Sequence, residues 1–379
     1  MMLQPNNIPI PAADPLPLPA PVWLLKTLLL VVFFLHLLFM NCTLAGGVTA
    51  LFNAIRGRSH RHPLSRRLSA ELGSVLPVFV AFTVTLGVAA LLFVQVLYGN
   101  LFYTSSILIG AYWISVIVLV MLGYYGYYYY NSRSGERAST ASIAVLGLAV
   151  LCFLAIGFIF TNNIALMWSP QKWLAMYRAH ANGAQLNVGD RSIWPRYLHT
   201  IIGSFGVFTA ALAEYGILRF KKDREYGGWL VRRASVVFAG TTVLQFLVGM
   251  WFLMALPKNV AMVFFRDGLG VSIFAVALLS TLAGTILLLV GSTATEPSPL
   301  IHAGFGMVLL TVALMVVMRD MVRTASLTPY FQLSRLQVSP QTGVIIVFLL
   351  TFAGGLATLV WILRKVVQGR SRSAAASAK

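Results

Sequence analysis

Charge is scarce in this sequence, and negative charge scarcest of all. Charged residues make up 10% of 379, against about 25% in a soluble domain, which argues against a water-exposed globule. There are ten carboxylates, Asp14, Glu71, Glu136, Asp190, Glu214, Asp223, Glu225, Asp267, Glu296 and Asp320, and they face 28 Lys and Arg for a net charge of +18. In a soluble protein that excess would point to nucleic acid. Here the basic residues sit in short loops between long apolar runs, so membrane orientation explains them and no nucleic-acid partner is expected. Cysteine is limited to Cys42 and Cys152, both inside apolar runs, which excludes a disulfide scaffold and a cysteine zinc site. The absence of C-x-x-C-H excludes a covalently attached c-type heme. No positive charge precedes the first apolar run, so a cleaved signal peptide is not expected. No internal repeat marks an inverted-repeat transporter.

What the chain does have is hydrophobic length. Hydrophobic residues reach 58% and mean hydropathy is +0.81. A bilayer core needs about 20 apolar residues per helix. Nine runs meet this, at 22–51, 74–98, 106–130, 141–162, 197–219, 231–256, 269–291, 299–321 and 342–364. They are too long for barrel strands, and open sheets cannot cross lipid. The expected fold is an all-α, polytopic membrane helical bundle. Residues 1–21 read as a Pro-rich lead, 22–364 as the membrane domain and 365–379 as a disordered basic tail. Loops 52–73, 131–140 and 219–233, together with Arg364 and the tail, hold eighteen of the 28 basic residues. With nine spans they share one side. The positive-inside rule then places the N-terminus outside and the C-terminus in the cytoplasm of a multi-pass inner-membrane protein.

Ionisable groups at membrane depth each demand a partner. His36 lies deep in the first span, about 20 Å from its start at 1.5 Å per residue, in FFLHLLFMNCTLAGG. His199 opens the fifth span in WPRYLHTIIGSFG, and His302 opens the eighth in PLIHAGFGM. A boundary imidazole serves equally well in hydrogen-bonding a helix end or headgroup. A deep one needs a metal or an interhelical hydrogen bond. Asp320, between Arg319 and Arg323, reads as a screened interfacial salt bridge, and Glu214 as a snorkelling partner of Arg219. Gly46 and Gly47 after His36, and Gly203 and Gly206 after His199, would leave room for a porphyrin face or serve helix contact. The run YYGYYYY at 124–130 reads as an aromatic belt.

Three of these stretches resemble subunit I of the cytochrome bd quinol oxidases. KTLLLVVFFLHLLFMNCTLAGG is similar to that family's first helix, and by that resemblance His36 is the axial ligand of the active-site heme. YLHTIIGSFGVFTAALAEYGILRFKKD resembles its fifth helix, which makes His199 an axial ligand of a low-spin heme b. RDMVR resembles the end of its eighth helix, placing Asp320 at a heme-ligating carboxylate and Arg323 at its arginine. LGVAALLFVQVLYGNLF resembles the second helix, with Gln95 standing where the family has Glu. The resemblance implies b-type heme, one or two copies, a quinone, and a second membrane subunit.

The sequence departs from the family in ways that redirect the function. Only about residues 257–268 stand where the family carries a long quinol loop. At the start of the seventh helix FFRDGLG lacks the axial Met; Arg266 matches the family's arginine there, and Met262, four residues earlier, is a substitute ligand. The third span carries no carboxylate for proton delivery, and oxygen reduction consumes protons. The expected function is therefore a bd-like cytochrome b that passes electrons between membrane quinone and an extracytoplasmic cytochrome or other redox protein. Oxygen reduction is not expected of it. The alternatives are a transporter and a cofactor-free anchor subunit. The basic inner loops should attract anionic lipid.

Overall fold

A computed structural model describes residues 10–12, 16–133, 138–296 and 298–376. Asp14, Glu136, Arg137 and Lys379 lie outside the described residues. All nine expected spans are helices long and apolar enough to cross a membrane. The chain is an all-α, multi-pass membrane bundle.

In chain order the helices are α1 (Val22–Arg56), α2 (Pro63–Leu108), α3 (Gly110–Arg133), α4 (Thr140–Met167), the short α5 (Trp173–Ala179), α6 (Ile193–Phe220), α7 (Arg224–Ala255), the single turns α8 (Lys258–Ala261) and α9 (Val263–Arg266), α10 (Gly268–Thr293), α11 (Pro299–Leu327) and α12 (Thr342–Ala376). Neighbours pair as hairpins: α1 with α2, α3 with α4, α6 with α7, and α10 with α11. Alternation gives two rims. The starting rim carries the start of α1, the turns after α2, α4, α7 and α11, and short helices α5, α8 and α9. The far rim carries the other ends.

Local chemistry sets the boundaries. Pro63 occupies the first turn of α2, where its missing N–H costs nothing. Asp223, Asp267 and Ser298 accept backbone N–H groups at the starts of α7, α10 and α11, the usual N-cap bond. Most of segment 52–73 is thus helix, not loop. The hairpin α6–α7 closes because Gly227 has no Cβ: one there would fall on the backbone of Phe220. Likewise Gly284 and Gly304 let α10 and α11 approach, with Leu288 lying 2.9 Å from where a Gly304 Cβ would stand. Small residues are how helices pack closely without a hydrophobic driving force.

Three expectations change on folding. Part of the Pro-rich lead is docked rather than free, since Leu18 pairs with the segment after α11 through Leu18 N–H to Gln337 O (2.8 Å) and Ser339 N–H to Leu18 O (2.9 Å). The described part of the tail continues α12 as helix through Ala376, where the Ala-rich composition favours it. The tyrosine run is not a uniform belt. Tyr127 and Tyr130 turn inward and are buried, with Tyr127 donating to Thr43 O (3.1 Å) and Tyr130 bonding Ser69. Tyr125, Tyr128 and Tyr129 stay exposed.

The far rim is held by a polar knot. Glu71 of α2 accepts from the hydroxyls of Tyr215 and Tyr226 at 2.9 Å each, from Arg219 at 3.0 Å and from Arg67 at 3.3 Å. Arg67 also reaches Asp223 at 2.5 Å. One carboxylate therefore ties α2, α6 and α7. Arg219 is thereby committed to Glu71, and Glu214 pairs instead with His302 of α11 at 2.6 Å. Sequence proximity suggested the Glu214–Arg219 pair, but the helical rotation aims the two side chains at different neighbours. Glu71→Ala should lower stability by about 2–4 kcal/mol: it strands two hydroxyls and two guanidiniums, and their partial exposure keeps the loss below that of a fully buried pair. Thermal unfolding in detergent measures it, and a loss below about 1 kcal/mol would show the knot to be incidental.

Candidate functional site

A group of charged, histidine and aromatic side chains in the starting-rim half comes together from five elements. Lys26 and His36 come from α1, Tyr98 from α2, Trp168 from the end of α4, Arg196 and His199 from α6, and Arg319, Asp320 and Arg323 from α11. The chain of contacts that joins them is specific.

His36 sits against α2. Its Nδ1 lies 2.9 Å from the carbonyl oxygen of Thr83. A carbonyl only accepts, so the neutral imidazole donates from Nδ1 and its lone pair sits on Nε2. Gly87, one turn on, provides the seat: a Cβ there would stand 2.9 Å from His36 Cε1 and 3.0 Å from Nδ1. Thr43 and Thr83 share a hydrogen bond between hydroxyls at 2.9 Å, fixing α1 and α2 in register around the ring.

His199 is seated by the same device in the next hairpin. A Cβ on Gly249 of α7 would lie 3.2 Å from its Cε1 and 3.4 Å from its Nδ1. Gln245, one turn earlier, donates to the His199 carbonyl at 3.0 Å. Here Nδ1 is buried and has no protein partner among the described residues. The glycines that make room are therefore Gly87 and Gly249 on the facing helices. Of the two roles open to Gly46, Gly47 and Gly203, porphyrin room or helix contact, the structure shows the second: they face Phe208, Tyr127 and Gln245 of neighbouring helices.

Asp320 is buried, not screened. Lys26 Nζ lies 2.7 Å from its Oδ2, and Arg323 bonds its Oδ1. Both carboxylate oxygens are thus engaged by cations, and the Asp320 and Arg323 side chains are only 7% and 4% exposed. Arg323 lies 4.4 Å over the ring of Tyr98, at a break in α2. Arg319 stacks 4.4 Å over Phe33 and 5.5 Å over Trp168, and Arg196 4.4 Å over Trp168 and 5.0 Å over Phe252.

The remaining expected residues stand apart. Gln95 is half-buried on α2 and makes no side-chain hydrogen bond with the described residues. Met262 is half-buried at the junction of α8 and α9, and Arg266 is exposed at the end of α9. No group of three or more His, Cys, Asp or Glu able to hold a metal ion occurs among the described residues. A heme needs only an axial imidazole on one or both faces, so that finding bears on clusters and not on His36 or His199. Lys26, Arg196, Trp168, Gly87 and Gly249 were not singled out from sequence. Lys26, a lone cation in VWLLKTLLL, carried the signal of an intramembrane charge; the two glycines carried none, because their role depends on a neighbouring helix.

No protein-family model matches the chain, and no curated protein does. Among solved structures, it is similar to the bd oxidase from Geobacillus thermodenitrificans, with a TM-score of 0.65 at 11% identity, covering 92% of this chain and 99% of that one. The chain has a distant bd-oxidase-like fold. At that identity the likeness is one of fold, and it extends over nearly the whole bundle, consistent with the helix order on which the sequence resemblance rested.

The connection before α6 braces this rim of the bd-oxidase-like fold. Burial opposes the charge on Asp190. Even so, Lys172 at 2.5 Å, the Ser192 hydroxyl at 2.7 Å and its N–H at 2.8 Å hold the carboxyl below the usual carboxylate range. A depressed value means the bracing is fully present above the unfolded carboxylate value of about 3.9 and is lost as pH falls through the lower native value. Amide exchange in 180–192 should therefore accelerate as pH drops below about 4, after correction for intrinsic exchange, and Asp190→Asn should remove that step. Equal acid profiles for the two proteins would count against the brace.

Proposed function

We propose that this chain is the cytochrome b subunit of a bd-like membrane complex, holding one or two b-type hemes through His36 and His199. In this reading it passes electrons between membrane quinone and an extracytoplasmic redox protein. The observation that carries it is the pair of seated imidazoles. Each is pressed into a glycine notch on the facing helix; one has its Nδ1 proton assigned to a carbonyl and the other has a buried, unpartnered Nδ1. An imidazole whose second nitrogen is oriented by a carbonyl is the usual form of an axial ligand. A bound heme would supply reversible one-electron chemistry at its iron. The protein's own contribution is to orient the rings, keep water from them and surround them with positive charge.

In this reading Asp320 is the counter-ion of Lys26 and Arg323, because both its oxygens are already committed, and Arg323 is held toward the interior by it. The third span offers no carboxylate, so proton supply for oxygen reduction has no evident route along it, and electron transfer is the activity proposed. The N-terminus outside and a cytoplasmic-membrane location follow from the loop charges. A second membrane subunit fits α12, whose 21-residue span has none of its apolar window buried within this chain.

The test is a reduced-minus-oxidised spectrum with a pyridine hemochrome assay on the purified protein. Bands of b-type heme should be present; His199→Ala should remove one heme's share and His36→Ala the other's, if both sites are filled. Complete absence of b-type bands from protein made with ample heme overturns the proposal.

A further inference from the structure

At the starting rim the described residues gather more positive charge than they neutralise. Arg323, which is buried, and Lys26, Arg196 and Arg319, which are half-buried, converge there, and the only carboxylate among them in the described residues, Asp320, is spent on Lys26 and Arg323. Asp190, near Arg196, is committed to Lys172. Arg196 and Arg319 are left with aromatic faces. A desolvated cation–π contact is worth about 2 kcal/mol, which offsets only part of the cost of burying a guanidinium.

Hydrogen-bond donors show the same surplus. Tyr98 O–H, Trp168 Nε1–H, Arg196 Nε–H and Arg323 Nε–H are all buried and lack a protein acceptor among the described residues. Such groups are normally satisfied. Four donors and two uncompensated cations in one region call for oxygen-bearing anions.

The contacts also connect the two histidines. His199 lies 6.1 Å from the ring of Phe252, which lies under Arg196; Arg196 covers Trp168; Trp168 lies under Arg319; Arg319 covers Phe33; and Phe33 lies 6.0 Å from His36. The Arg196–Trp168–Arg319 stack is thus the central link between the imidazole seats. We infer that this stack is a carboxylate clamp: Arg196 and Arg319, with the indole N–H of Trp168 between them, receive the carboxylate groups of the ligands held at His36 and His199. The inference rests on the heme reading, since a porphyrin that brings two carboxylates would supply the missing acceptors. An anionic lipid headgroup offers similar oxygens, and the experiment separates the two sources.

The experiment uses full-length protein prepared without heme and titrated in detergent with protoheme or with its dimethyl ester, followed by the heme absorption bands. The ester keeps iron and ring and loses both negative charges. A charge-assisted hydrogen bond contributes about 1.5–3 kcal/mol, so the wild type should bind the ester at least about tenfold more weakly than protoheme. Arg319→Gln should weaken protoheme several-fold and leave the ester unchanged, narrowing the discrimination to what Arg196 and Trp168 still supply. Arg319→Lys should restore part of it, and Trp168→Phe, which keeps the stack but drops the N–H, should cost less. Loss of Arg319 should also lower the reduction potential, because a nearby positive charge favours the reduced iron. Equal affinity for ester and protoheme in the wild type overturns the clamp while leaving the heme reading intact, and points to lipid as the source of the anion. Binding of neither porphyrin overturns both. The wild-type comparison needs no variant, so a misfolded substitution leaves the test decisive.

Discussion

The bundle is organised by the cost of charge where water is excluded. Lipid offers no compensation for a buried guanidinium or carboxylate, so each must be answered by the protein or by something it holds. At the far rim the account closes for one cluster: Glu71, Arg67, Arg219 and Asp223 form a knot with Tyr215 and Tyr226. At the starting rim it does not close. Asp320 answers Lys26 and Arg323, while Arg196 and Arg319 lie over aromatic rings instead. The contrast is between a knot whose charges answer one another and a cluster whose cations outnumber its carboxylates among the described residues.

The two histidines share a second constraint. An imidazole at a helix interface needs space, and in both hairpins the space is taken from the facing helix by a glycine. Gly87 faces His36 and Gly249 faces His199. The seats differ in their hydrogen bonding. Thr83 fixes the proton of His36 at Nδ1, whereas His199 has its backbone carbonyl bound by Gln245 and its Nδ1 left without a protein partner. One geometry therefore presents two imidazoles of unlike surroundings.

Much of this was legible in the residues. The nine spans, the depth of His36 and the proximity of Asp320 to Arg323 follow from hydropathy and helical spacing, which depend on residues close in sequence. Spacing alone presents Asp320 as screened, because Lys26 reaches it from the start of α1, nearly three hundred positions away. Spacing along the helix pairs Glu214 with Arg219, yet rotation sends it to His302 on α11. Glycines beside the histidines in sequence drew attention, while those beside them in space had no sequence mark.

The sequence by itself determined that the chain is a membrane bundle, how many times it crosses and which titratable groups lie deep, because transfer from water to lipid acts residue by residue and sums along each run. The tertiary structure alone decided which cations meet carboxylates, which meet only aromatic rings, and which helix yields space to each imidazole. Those outcomes turn on helix rotation and close approach between distant segments, and a burial energy summed along the chain contains no information about either.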